Sequence, residues 1–242
     1  MFGNWFKKSS FGIYISGDTL KLVELVRKGG KLQVSGYGEH KIWNGRLPEM
    51  LDSLKNKLGL KSAHLSLAAV HMDNLPDYLS AFKNSGIEIK SFETGAEALA
   101  RALLPAGDLG TYMLVEFGNG SHTLFVVSGG TLGLVSSFNF GENILASKDE
   151  VQKHFLNWHL EKEDLGTKPL IKKIIITGAD HDLPKLAEYL AVSLRNKVEV
   201  GNVWINILDT QKEIPAISLE DSFTFAAPLG LALKEFIIDP LS

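Results

Sequence analysis

The chain has 242 residues, of which 45% are hydrophobic and 22% are charged, and its formal net charge is −3. This composition is ordinary for a globular protein, and the charge argues against a nucleic-acid-binding protein, which concentrates Lys and Arg on one face. The sequence contains no cysteine, which excludes disulfides and thiolate metal sites and is typical of a reducing compartment. No apolar run reaches the roughly 18 residues that span a bilayer. The aromatic and Lys-containing segment 1–10 is predicted to be a tail.

A three-stranded antiparallel meander is the first predicted element. Strand Phe11–Ser16 turns at Gly17-Asp18, strand Leu20–Arg27 turns at Gly29-Gly30, and a third strand begins at Leu32. Glycine favours such turns because it adopts the positive φ that they require. The N-terminal part of the chain is therefore expected to begin a β-sheet.

Helices and strands alternate after this meander. Helical or alternating spacing of apolar residues predicts helix Leu47–Leu58, strand His64–Val70, helix Leu75–Asn84, strand Ile87–Phe92 and helix Gly95–Leu104. Thr94 and Glu97 match a capping box at the start of the last of these helices, and Pro105 ends it. This alternation predicts an α/β half-domain over residues 11–110.

The same meander occurs again about one hundred residues later, which indicates an internal duplication rather than a solenoid repeat. Strand Tyr112–Phe117 turns at Asn119-Gly120, strand His122–Val127 turns at Gly129-Gly130, and strand Leu132–Phe138 follows. Asn-Gly between β-rich runs is a strong hairpin signal. A second half-domain is therefore predicted over residues 111–242.

The second half continues with a strand, a small-residue turn and a helix, an arrangement that exposes backbone N–H groups to a phosphate or adenosine. The predicted elements are helix Glu142–Glu161, strand Leu170–Thr177, helix Leu183–Leu194, strand Lys197–Val200 and helix Ser222–Phe236. The fold class is thus expected to be α/β, with two half-domains that each contain a mixed sheet and face a central cleft.

Several short segments carry a resemblance to a known family. They are Gly12–Gly17, Lys21–Leu25, Leu114–Gly118, Thr177–Asp180, Asn202–Trp204 and Leu229–Leu233. Their order and spacing resemble the PilM-like family of type IV pilus assembly proteins, which is related to the division protein FtsA. The resemblance implies the actin-like (ribonuclease H-like) duplicated fold. In that family the first, third and fourth segments supply the two phosphate segments and the adenosine segment of a nucleotide site.

These nucleotide segments depart from the family pattern at five positions. Tyr14 stands where the first phosphate segment has Asp, and Ser16 replaces the following Gly. Glu116 replaces the second Asp, and Ala179 and Asp180 replace two glycines of the adenosine segment. Since the family's aspartates position Mg²⁺ or water, we predict no catalytic residue, no metal and no ATP hydrolysis.

If ATP and Mg²⁺ bind at all, the resemblance places a defined set of residues around them. They are Ser16, Gly17, Asp18, Thr19, Lys21, Glu116, Gly118, Asn119, Gly120, Thr177 and Gly178. For Asp18 and Thr19, turn chemistry alone is the alternative interpretation.

The chain is shorter than is usual in this family. Between Gly38 and Gly86 there is room for one helix, one strand and another helix, so the 1C subdomain, about residues 40–90, is expected to be reduced. Between Gly141 and Ile171 only one long helix fits. In the family the cytoplasmic tail of PilN docks beside 1C. Here an edge strand around Leu65–Val70 is expected to accept a peptide by strand addition instead.

The resemblance implies a non-enzymatic cytoplasmic scaffold, peripheral at the inner face of the bacterial inner membrane. Its expected partners are a PilN-like membrane protein tail, other pilus or secretion assembly proteins, and copies of itself, with no nucleic acid. Membrane contact would run mainly through the partner. Two alternatives stay open: an ATP-binding actin-like switch or ATPase, and an FtsA-like membrane-associated polymer.

Overall fold

The computed structural model describes residues 9–42, 47–58, 64–69, 75–118, 122–138, 147–160, 162–163, 166–167, 169–179 and 182–237. The first half contains β1 (Ser9–Ser16), β2 (Thr19–Lys28), β3 (Lys31–Lys41), α1 (Leu47–Leu58), β4 (His64–Ala69), α2 (Leu75–Asn84), β5 (Ser91–Phe92) and α3 (Gly95–Leu103). The second contains β6 (Tyr112–Phe117), β7 (His122–Ser128), β8 (Thr131–Phe138), α4 (Ser147–Leu160), β9 (Lys162–Glu163), β10 (Gly166–Thr167), β11 (Lys173–Gly178), α5 (Leu183–Leu194), β12 (Val198–Val200), α6 (Leu219–Phe223) and α7 (Ala226–Leu233).

Two five-stranded mixed sheets repeat one topology. Their strand orders are β3-β2-β1-β4-β5 and β8-β7-β6-β11-β12, with β4 parallel to β1 and β11 parallel to β6. A β-bulge follows Glu24 in the first meander and Val126 in the second, at the same offset from Tyr14 and from Glu116. The predicted α/β duplication is confirmed.

Glycines form the turns of both meanders as predicted. Gly29 and Gly30 have φ of 58° and 82°, and Gly129 and Gly130 have φ of 58° and 77°. Gly17 also has a positive φ, of 59°. The predicted Asn119-Gly120 turn lies outside the described residues.

Helices α3 and α7 pack together between the two sheets and form the centre of the largest core cluster. A Cβ added to Gly230 of α7 would lie 1.8 Å from the Ala98 carbonyl oxygen of α3. A Cβ added to Gly12 of β1 would lie 2.0 Å from the Pro228 carbonyl oxygen of α7. Glycine is therefore required at both positions, because any side chain would separate the helices or lift α7 from the sheet.

A buried ion pair joins α3 to the segment before it and to α7. The Arg101 guanidinium, 0% exposed, donates to both Glu93 carboxylate oxygens at 2.8 and 2.7 Å. It also donates to the Gly230 carbonyl oxygen at 3.0 Å, and the Lys234 ammonium lies 3.3 Å from the same carboxylate. Such bidentate geometry compensates the cost of burying both charges.

The outer faces of the sheets are covered by the remaining long helices. α1 and α2 pack on the first sheet, and α4 and α5 pack on the second. Between Gly38 and Gly86 the described residues form the end of β3 and then α1, β4 and α2, as the sequence predicted. Between Gly141 and Ile171 they form α4 and the two-residue strands β9 and β10, which were not predicted. The predicted boundaries at residues 10 and 110 stay a prediction. No helix in the described ranges is both long and apolar enough to cross a bilayer.

The prediction of one final helix over Ser222–Phe236 is wrong. The chain forms α6 up to Phe223 and starts α7 at Ala226. The cause is Pro228, which has no N–H to donate to the Thr224 carbonyl and whose ring would clash with that carbonyl in a continuous helix. The Thr224 oxygen is consequently available to another donor.

The prediction that β4 is an edge strand is also wrong. β4 pairs with β1 on one side and with β5 on the other. The Lys90 and Glu93 backbone N–H groups extend this pairing, since they donate to the Leu65 and Leu67 carbonyl oxygens at 2.9 and 3.1 Å. The strand therefore lies inside the sheet, and a peptide cannot add to it.

Two strand boundaries also differ from the prediction. The strand predicted over Ile87–Phe92 is reduced to Ser91–Phe92. The strand predicted to begin at Leu170 begins at Lys173, and the Leu170 side chain is 74% exposed. The helix predicted from Glu142 is described from Ser147.

Candidate functional site

A cavity of about 640 Å³ lies between the two halves, at the hairpin ends of both meanders. Most of the predicted nucleotide-site residues line it, namely Ser16, Gly17, Asp18, Thr19, Lys21, Glu116, Gly118 and Gly178. Thr177 is 1% exposed, and its hydroxyl donates to the Phe223 carbonyl oxygen at 3.0 Å. Asn119 and Gly120 lie outside the described residues. Eight of the predicted residues thus lie around one cavity, and their role in nucleotide binding stays a prediction.

The two positions that resemble the family's aspartates contact each other across the cleft. The Tyr14 hydroxyl donates to a Glu116 carboxylate oxygen at 3.2 Å, although the residues are 102 positions apart. The Tyr14 ring lies over Gly95 at the start of α3, where an added Cβ would be 3.2 Å from the ring. Both side chains also line a second cavity of about 390 Å³. The Tyr14–Glu116 contact therefore separates two cavities and joins the two halves.

Burial is the main cause of the shifted pKa values of Tyr14 and Glu116. Burial raises the pKa of Glu116 from 4.5 to about 7, although the Tyr14 hydrogen bond and the Lys21 charge act in the opposite direction. Burial also raises the pKa of Tyr14 well above its usual range, and the Glu116 charge adds to this effect. The raised pKa favours the protonated form of Glu116 relative to an exposed glutamate.

Lys21 fills the wall of the larger cavity. Its ammonium lies 3.4 Å from the Glu39 carboxylate and donates to the Thr224 carbonyl oxygen at 3.2 Å. It also lies 5.4 Å from the centre of the Phe225 ring. Burial lowers the pKa of Lys21, and the Glu39 charge partly offsets this effect. The break between α6 and α7 thus leaves the Thr224 carbonyl oxygen free to accept a hydrogen bond from Lys21.

Asp18 and Thr19 contact each other and the end of β3. The Asp18 carboxylate accepts hydrogen bonds from the Lys41 ammonium and the Thr19 hydroxyl, both at 2.9 Å. These bonds lower the pKa of Asp18. The described contacts of both side chains are therefore with each other and with the end of β3, and the phosphate and turn interpretations both stay predictions.

Gly178 is required by packing at the end of β11. Its φ is +127°, and an added Cβ would lie 2.1 Å from the Phe117 carbonyl oxygen. The same oxygen accepts a hydrogen bond from the Ala179 N–H at 2.8 Å. This turn is therefore fixed against β6, close to the cavity.

The residues at the two phosphate segments do not fit a magnesium ion shared between them. Mg²⁺ prefers carboxylate and phosphate oxygens in near-octahedral geometry. Tyr14 supplies a phenol that stays protonated, and Glu116 accepts its hydrogen bond. Within the described chain, no group of three or more His, Asp or Glu side chains could hold a metal.

Several cavity residues were not predicted from the sequence. They are Tyr37, Gly38, Glu39, Lys41, Asp221, Thr224 and Phe225, whereas Phe117 and Ala179, which also line the cavity, belong to the predicted phosphate and adenosine segments. Glu39 pairs with Lys21 across β2 and β3, and Lys21 pairs with Tyr14 across β1 and β2. The predicted turn at Gly29-Gly30 alone would pair Lys21 with Gly38, and the β-bulge after Glu24 shifts the pairing to Glu39. The turns were therefore a local signal that β3 lies near the site, but they did not identify Glu39 itself. Phe225 has no such local signal.

The duplicated sheets facing one cleft define an actin-like fold. No protein-family model matches the chain, and no curated protein matches it. Among solved structures, the chain is similar to the PilM-PilN type IV pilus biogenesis complex, with 13% identity, 96% of this chain and 98% of that chain covered, and a TM-score of 0.65.

Two further solved structures have the same fold. One is the ethanolamine utilization protein EutJ from Carboxydothermus hydrogenoformans, with 14% identity, coverage of 93% and 89%, and a TM-score of 0.59. The other is MreB 5 of Spiroplasma citri bound to AMPPNP, with 9% identity, coverage of 94% and 96%, and a TM-score of 0.58. These likenesses confirm the actin-like fold and the structural resemblance to PilM.

Proposed function

We propose that this protein is a non-enzymatic, actin-like scaffold that binds the short cytoplasmic tail of an inner-membrane partner. The assembly would be a type IV pilus or a related secretion system. The observation that carries the proposal is the Tyr14–Glu116 contact, which occupies both positions where the family has aspartates. The likeness to the PilM-PilN complex supports a tail as the ligand.

The chemistry of the cleft favours a scaffold over an ATPase. Phosphoryl transfer requires a metal ion and charged groups that stabilise the transferred phosphoryl. Here the Glu116 pKa of about 7 leaves the acid uncharged in a large fraction of molecules at neutral pH. Lys21 is shared between Glu39 and Thr224. A direct hydrogen bond between the halves joins the two positions where the resemblance places metal-positioning aspartates.

The expected location is the cytoplasmic face of the inner membrane, where the partner's tail would hold the protein. Other assembly proteins and further copies of this chain would join the same complex. ATP and Mg²⁺ have no place in this function.

The test is a binding screen without nucleotide. Synthetic peptides with the sequences of the cytoplasmic tails of single-span membrane proteins encoded beside this gene are titrated into the full chain by calorimetry. We expect one tail to form a saturable one-to-one complex. If none of these tails binds, the scaffold proposal is wrong.

A parallel titration with Mg-ATP and Mg-ADP tests the principal alternative, which the AMPPNP-bound MreB 5 likeness favours. A ligand at one hundred times its Kd stabilises the native state by about 2.7 kcal/mol. We expect no change in thermal stability at millimolar nucleotide. A saturable shift, with turnover lost in Glu116→Gln, would establish an ATPase. Filaments that sediment in a concentration-dependent manner would establish an FtsA-like polymer.

A further inference from the structure

The four edges of the two five-stranded sheets differ in their protection. β5 and β12 are edges of two and three residues. β3 is long but charged, and its Lys31, Glu39 and Lys41 form ion pairs at 2.8, 3.4 and 2.9 Å. β8 has eight residues and no charged side chain. Since proteins usually protect edges by short length or by charge, β8 is the edge most open to strand addition.

The cavity of about 390 Å³ lies over the face of β6, β7 and β8 and reaches this edge strand. Val135 and Ser137 of β8 line one wall, and Phe92 and the start of α3 line the other. Val135 is 55% exposed and Phe92 is 36% exposed. We call this cavity with the adjoining β8 edge the β8 groove. Its exposed apolar side chains on facing walls suit the side chain of an extended segment.

The duplication explains why this groove is open. In the first sheet, Tyr14, Lys21 and Glu39 form a row across three strands, and the Lys21–Glu39 ion pair fills it. The equivalent row in the second sheet consists of Glu116, Thr123 and Ser137, which line the groove. Two small hydroxyl side chains stand where the first half has a long ion pair.

The charge of the groove indicates the chemistry of its ligand. Its described lining contains three acidic side chains, Glu93, Glu97 and Glu116, and no Lys or Arg, and Glu116 is already hydrogen-bonded to Tyr14. Glu93 is compensated by Arg101 and Lys234. The half-buried Glu97 carboxylate instead accepts the Thr94 N–H and hydroxyl at 2.7 and 2.9 Å, and has no cation among its described partners. A Lys or Arg of a ligand would find this carboxylate at the rim.

We infer that the β8 groove binds an extended segment that carries apolar side chains and Lys or Arg, and that this segment adds to the second sheet along β8. The inference rests on the proposed function and assigns the docking place of the membrane partner's tail. Cytoplasmic segments beside membrane spans are enriched in Lys and Arg, so such a tail has the required charge. Backbone pairing gives affinity, and the Val135–Phe92 space gives side-chain selectivity.

The experiment compares two matched substitutions. Val135→Lys places a positive charge in the groove, and Val192→Lys places the same charge on α5, where Val192 is 81% exposed. Fluorescence anisotropy measures binding of the tail found in the screen, and of a labelled ten-residue peptide of alternating Val and Lys. Val135→Lys should raise Kd at least about tenfold for both, and Val192→Lys should change it less than about twofold. An alternating Val and Glu peptide should bind at least about tenfold more weakly than its Val and Lys counterpart.

The outcomes separate the two proposals. A tail that binds both variants and the unchanged protein equally overturns the groove and leaves the scaffold function standing. Failure of every tail to bind overturns both. Because Val135 is exposed, unfolding temperatures of the two variants should agree, which shows that lost binding is not lost folding.

A spectroscopic readout tests the location directly. The chain has no cysteine, so a single nitroxide can be attached at Ser137→Cys in the groove or at Val192→Cys as the control. Bound tail should immobilise the label at 137 and leave the label at 192 unchanged. Equal mobility at 137 with and without saturating tail contradicts docking along β8.

Discussion

The Glu116→Gln substitution shows how much the ionisation of Glu116 contributes to the free energy of unfolding. Gln retains an acceptor for the Tyr14 hydroxyl but cannot ionise. In the folded protein the Glu116 pKa is about 7, against 4.5 for an exposed glutamate. The native state therefore holds a proton that the unfolded state releases in this window, so the free energy of unfolding falls as pH rises from 4.5 to about 7. Each pKa unit corresponds to about 1.4 kcal/mol, which gives a total of about 3 kcal/mol.

Urea unfolding at intervals between about pH 5 and pH 8 measures this effect as a difference between the two proteins. The stability of the unchanged protein relative to Glu116→Gln should decrease by about 2–3 kcal/mol over this range and then level off. Groups with lowered pKa values, such as Asp18 and Asp108, are common to both proteins and cancel. A difference that is independent of pH would refute the argument that burial controls this acid.

Three further substitutions, the last with a matched control, test the same contact and two others. Tyr14→Phe removes the hydroxyl whose hydrogen bond lowers the pKa of the neighbouring acid, so the pH transition should move upward in the same urea series. Arg101→Met leaves the buried Glu93 carboxylate without its bidentate partner and should cost about 3–5 kcal/mol in urea unfolding; a cost below about 1 kcal/mol would contradict the assigned pairing. Gly230→Ala places a methyl group 1.8 Å from a backbone oxygen of α3 and should cost more than about 1 kcal/mol, whereas Gly38→Ala, with its nearest neighbour at 3.6 Å, should be nearly neutral in thermal unfolding.

Local signals in the sequence predicted much of the fold. The Thr94–Glu97 capping box forms both of its hydrogen bonds, and the Gly29-Gly30 and Gly129-Gly130 turns close their hairpins. Such features depend on residues a few positions apart, so a single sequence contains them. The break that Pro228 causes was missed, although it also had a local signal. Proline has no N–H to donate to the carbonyl four residues upstream, so a continuous helix cannot pass through it unbroken. Neighbouring residues did not signal that β4 lies inside the sheet, because this position depends on pairing with the two-residue strand β5.

In the candidate site, too, some features could be predicted from local sequence and others could not. The glycine-rich ends of β1 and β6 were found from short motifs, and they line the cleft. The Tyr14–Glu116 contact could not be predicted, because it depends on how the two halves face each other. The raised Glu116 pKa follows from that burial and not from neighbours in sequence. The resemblance set Tyr14 and Glu116 at the positions of two aspartates, but only the structure places these two residues in contact.

The packing of α7 against β1 determines when the first half can be completed during synthesis. The ribosome releases β1 and β2 early, but the helix that covers their inner side chains, among them Val23 and Leu25, is made more than one hundred residues later. Until then this apolar surface is exposed to solvent and to other nascent chains. A chain truncated before Ala226 should therefore aggregate rather than yield a stable N-terminal half. We therefore expect the two halves to fold as one cooperative unit that is completed only after α7 has emerged.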